Sequence, residues 1–78
     1  MVTIELKYPL QLAGVPVKVL RMRRPKVIDM LAIDSPGSES QKEVRLFANL
    51  CELPTEAIQE LDLADYQSMQ KAYQGFLS

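Results

Sequence analysis

The stretch that decides the fold is VTIELKYPLQLAGVPVKVLRMR, Val2 to Arg23. Every even position from Val2 to Leu12 is apolar, and only Pro9 interrupts the polar side. A period of two marks a half-buried strand. Gly14 can take the positive φ of a two-residue hairpin turn. A turn at Ala13-Gly14 pairs Leu12 with Val15, Leu10 with Val17 and Tyr8 with Val19, and puts all six on one face. Continued further, that register sends Arg21 and Arg23 inward and exposes Leu20 and Met22. A bulge near Val19–Leu20 removes the conflict, because an extra residue flips the face. Pro9 and Pro16 give both strands edge character.

Downstream the period changes. In RRPKVIDMLAI, Pro25 suits the first helical position, and Val27, Ile28, Met30 and Leu31 form an apolar stripe. Asp34 to Ser38 is a loop. Ser38 with Gln41, or Ser40 with Glu43, can form a capping box for a second helix. That helix carries Val44, Phe47, Ala48 and Cys51 at i, i+3, i+4, i+7, widened by Leu46 and Leu50. A short helix follows, opened by Pro54 or Thr55, with Ile58 and Leu61 inward. Asp62 then caps a last helix, with Asp65 at its third position against the helix dipole and Tyr66, Met69, Tyr73 and Phe76 along one stripe. The architecture expected is α+β: one domain over 1–78, with a β-hairpin in 1–24 and three to four short helices in 25–78 packed on it.

Composition excludes more than it selects. With no histidine and one cysteine in 78 residues, a Cys/His zinc site, a histidine general base, a Ser-His-Asp triad and an internal disulfide are all ruled out. Cys51 reads as a packed thiol, and a lone reduced thiol fits a cytoplasmic setting. No apolar run reaches the roughly 20 residues of a membrane span. Asp62, Asp65, Glu56 and Glu60 lack cation-loop spacing, and neighbouring helical carboxylates make no cleft. No nucleotide motif is present. The chain reads as non-enzymatic, without cofactor or metal.

Charge is uneven. Residues 1–34 carry +3 and residues 35–78 carry −4, which together give the net −1. The basic cluster Arg21 to Lys26 could meet phosphates, which makes a small DNA-binding regulator of a mobile element the alternative function. The acidic balance and the lack of interleaved aromatics argue against nucleic acid. The apolar stripe of the last helix can be core, a surface for a partner helix, or each in different residues, which leaves an interaction module open beside a purely structural reading. Exposed parts of the Tyr66, Met69, Tyr73, Phe76 stripe, with Leu77, would contact partner helices, and Arg21, Arg23 and Arg24 would meet acidic groups. The open hairpin edge offers self-association.

The order of features, with LRMRRPKVIDML (Leu20–Leu31) and NLCELPTEAIQELDLADY (Asn49–Tyr66), resembles the small tail assembly chaperones of Mu-like and related contractile-tailed phages. Ala13-Gly14 and Pro54-Thr55 depart from the usual turn and cap residues of that family. The resemblance implies a non-enzymatic prophage or phage protein in the bacterial cytoplasm. It would bind the tape measure protein and other tail proteins, aid tube assembly, and be absent from the mature virion.

Overall fold

A computed structural model describes residues 1–78. Strands β1 (Val2–Leu12) and β2 (Val15–Met22) form an antiparallel hairpin. Four helices follow: α1 (Val27–Ala32), α2 (Glu39–Cys51), α3 (Thr55–Gln59) and α4 (Leu63–Phe76). This is the α+β arrangement expected. Helix α4 packs on β1, while α2 packs on β2 and α3. One core joins them, built around Phe47, Met22, Leu50 and Met69.

The turn forms at Ala13 (φ 52°) and Gly14 (φ 79°). Positive φ at both central residues gives a hairpin turn the twist its strands need. Leu12 pairs with Val15 and Leu10 with Val17, as the sequence indicates. The Tyr8–Val19 pair does not form. Glu5 is Val19's partner, so four residues, Leu6 to Pro9, face Lys18 alone. The surplus therefore lies on β1, three residues long, rather than at Val19–Leu20. Its consequence is the one the hydrophobic pattern requires. An odd surplus changes the face, so Leu20 and Met22 enter the core while Val19 and Tyr8 turn to solvent.

Asp65 explains why that irregularity is tolerated. Lys7 N–H and Tyr8 N–H leave the ladder, and both donate to the Asp65 carboxylate, at 2.9 and 3.1 Å. Buried backbone donors need partners, and this carboxylate, itself almost wholly buried, supplies them. Asp65 stands in the first turn of α4 as expected, and its carboxylate is buried against the hairpin rather than exposed at the helix end. Asp62 does cap α4, accepting from Ala64 N–H at 2.9 Å.

Two further local expectations resolve. Ser38 and Gln41 form the box at the start of α2, with Gln41 N–H on Ser38 Oγ and Ser38 N–H on Gln41 Oε1. Glu43 is used elsewhere. Helix α1 begins at Val27 with Lys26 as its N-cap, so Pro25 lies before the helix rather than at its first position.

Asp65→Ala leaves two inward-facing N–H groups without an acceptor, so urea unfolding should show a loss of about 2–3 kcal/mol. Asp62→Ala, at an exposed cap, should lose less, about 1 kcal/mol. Equal losses would mean that Asp65 acts only through the helix end.

Candidate functional site

Helix α1 inverts the usual arrangement. Val27, Ile28, Met30 and Leu31 are 70, 69, 60 and 61% exposed, and its buried residue is Asp29. The apolar stripe of this helix faces solvent. The reason lies six residues upstream. Arg23 Nη1 and Nη2 donate to Asp29 Oδ2 and Oδ1 at 2.9 and 2.6 Å, and Lys26 N–H donates to Oδ2 at 2.8 Å. A guanidinium fork and a carboxylate match in plane and spacing. Turning Asp29 toward Arg23 turns the rest of a six-residue helix outward.

The electrostatics agree with this geometry. The hydrogen bonds from Arg23, then that from Lys26 N–H, hold the Asp29 carboxyl down at about 2, against the opposing effect of burial. The same side-chain hydrogen bond raises Arg23.

The other side chains expected at the site separate into different roles. Met69 is wholly buried and belongs to the core. Tyr66 and Tyr73 pack on the Phe47 ring at 5.4 and 5.7 Å between centroids. Tyr66 Oη donates to Glu43 at 2.6 Å, and Gln70 Nε2 donates to the same oxygen at 2.8 Å. Burial, then this bond to Glu43, raises the Tyr66 phenol. Phe76 is half-buried beneath Arg24, whose guanidinium carbon lies 5.8 Å from the ring centre, and Leu77 is exposed. The α4 stripe is thus mostly spent on Phe47, and only its Phe76–Leu77 end reaches the surface.

The basic cluster is divided as well. Arg23 is neutralised by Asp29 and Arg24 covers an aromatic ring, while Arg21 and Lys26 stand exposed. Such a division offers no continuous row of cations for a phosphate backbone. No group of three or more His, Cys, Asp or Glu side chains is assembled to hold a metal. Cys51 is half-buried, and desolvation pushes its thiol up to about 11. No helix is long and apolar enough to cross a membrane.

The surface that sequence reasoning missed is therefore α1. A signal was present. V-I-D-M-L-A is apolar nearly all round, with one acid in its middle, and a small chain cannot enclose every side of such a helix.

The pH dependence follows from Asp29. Its carboxyl is depressed on folding, so its stabilisation is present above the ordinary value of 3.8 and is lost as pH falls through about 2. The urea midpoint of the wild type should drop across that window. Asp29→Asn should be weaker at pH 6 and lose less on acidification. An unchanged acid slope in the variant would remove Asp29 from the account.

No curated protein and no solved structure matches this chain. A family match does, and it covers residues 3–78 under the description phage tail assembly chaperone proteins, E, or 41 or 14. It spans hairpin, α1 and the helical half together, and the chain belongs to this family of phage tail assembly chaperones.

Proposed function

We propose that this chain binds the tape measure protein during tail assembly, as a non-enzymatic chaperone of the host cytoplasm that is left out of the mature virion. The observation that carries this reading is α1. Four large apolar side chains are held in solvent by a bidentate ion pair, an expensive arrangement for a chain with so small a core. Apolar groups at i, i+1, i+3 and i+4 suit the apolar face of an amphipathic partner helix. Met30 adds a side chain that adapts to differing contacts along a long client.

Charge specifies the client further. Arg24 and Lys26 flank the start of α1, so a client helix with acidic residues beside its apolar face fits best. At the end of α4, half-buried Phe76 and the exposed Leu77 that follows it extend the contact from beneath Arg24. Weak individual contacts suffice when many copies bind one long chain. Contacts with other tail proteins would use the same assembly.

Co-expression with the tape measure protein tests the reading. Ile28→Ser with Leu31→Ser should leave the urea midpoint nearly unchanged, because neither side chain is in the core. Co-purification should fall about tenfold or more, since each apolar anchor is worth about 1.5–3 kcal/mol when covered. A folded double variant that retains the client and its solubility would sink the α1 reading.

A further inference from the structure

A second surface lies along the hairpin. Strand β2 pairs with β1 and with no other strand, so its other edge carries unpaired backbone groups. Beside β2 runs a groove of about 470 Å³, with Val17, Val19, Leu50 and Leu53 among its apolar lining. Where the strand ends, Arg23 N–H donates to Leu50 O at 3.1 Å and fixes β2 to the end of α2. An open edge beside an apolar channel is the geometry that accepts an added strand, through main-chain bonds and alternate side-chain pockets.

Charge decides what that strand can be. Lys18 and Arg21 are the charged residues of β2, both are exposed, and the strand holds no acid. Glu52 also lines the groove, but it lies near Arg23, whose guanidinium is already engaged by Asp29. Two β2 edges laid together would bring lysine and arginine side chains into one small area, and like charges across strands are unfavourable. Pro16, which has no N–H to give, confines pairing to the stretch after it. These features discourage a second copy and leave Val17–Met22 open to a strand of opposite charge.

We infer that the free edge of β2 accepts an extended segment of another protein in which apolar residues alternate with acidic ones. The apolar side chains of the segment enter the groove, and its carboxylates meet Arg21 and Lys18. This surface is distinct from α1, so one chain can hold a helical client and an extended partner together.

The test is a titration of the ¹⁵N-labelled full chain with an acetylated octapeptide of alternating valine and glutamate, followed by amide shifts. Shifts confined to Val17–Met22 and Leu50–Leu53 are expected. The matching valine–lysine peptide should bind at least tenfold more weakly. Lys18→Glu with Arg21→Glu, both at exposed sites, should reverse that preference. Ile28→Ser with Leu31→Ser should leave peptide binding intact, which separates this site from the tape measure surface. Absence of shifts at millimolar peptide, equal response to the two peptides, or shifts centred on α1 would overturn the inference. So would sedimentation showing a dimer of the free chain with the Val17–Met22 amides protected by a second copy.

Discussion

One carboxylate joins the two ends of this fold. Asp65 on α4 accepts the N–H groups of Lys7 and Tyr8, 58 and 57 residues away in sequence. Without it, two part-buried N–H groups of the surplus segment of β1 would lose their acceptor, at a cost of up to about 1–3 kcal/mol for each group left unsatisfied. With it, β1 keeps its even residues inward apart from Tyr8, while β2 changes face between Val17 and Leu20. The core then receives Leu20 and Met22 in place of two arginines. The α4 helix is placed by the same contact, and Met69, one turn further on, fills the space beneath the hairpin. Strand irregularity, helix position and core content all follow from one buried acid.

The second buried acid works in the opposite direction. Asp29 occupies the inward position of α1 and gives its apolar neighbours to solvent. Full burial of such side chains is worth about 1.5–3 kcal/mol each, and the fold forgoes that gain four times. What it retains is an ordered display. The Arg23 fork fixes both carboxylate oxygens, so the rotation of α1 is set within the free chain. Preorganisation of this kind lowers the ordering cost of binding.

The hairpin, the four-helix order and most caps were legible in the sequence because they rest on local chemistry. Period-two alternation, Ala13-Gly14, Ser38 with Gln41 and Asp62 each act within a few residues. The role of Asp65 was not legible, because the same residue type at the third helical position serves a dipole or a distant backbone equally well. The α1 surface was hidden for a related reason. Periodicity identifies an apolar face but not what covers it, and nothing local marks Asp29 as the residue that anchors the helix. The α4 stripe left core and partner roles open. Its spacing suits a partner helix, yet Phe47 already stands opposite Tyr66 and Tyr73.

These two inversions are connected by the size of the chain. A domain of this length buries only about 60–65% of its unfolded surface, so some apolar groups must stay outside. Phe47 draws the aromatic residues of α4 into the core, and Met22 and Leu20 complete it from the hairpin. Helix α1, with six residues and a paired carboxylate inside, is then the element that leaves most apolar surface uncovered. The uncovered apolar surface is set by which helix the core does not need. In this chain the orientation of that helix is held by the Arg23–Asp29 ion pair beside its contact with α2, so its four large apolar side chains lie outside the packing that makes the core.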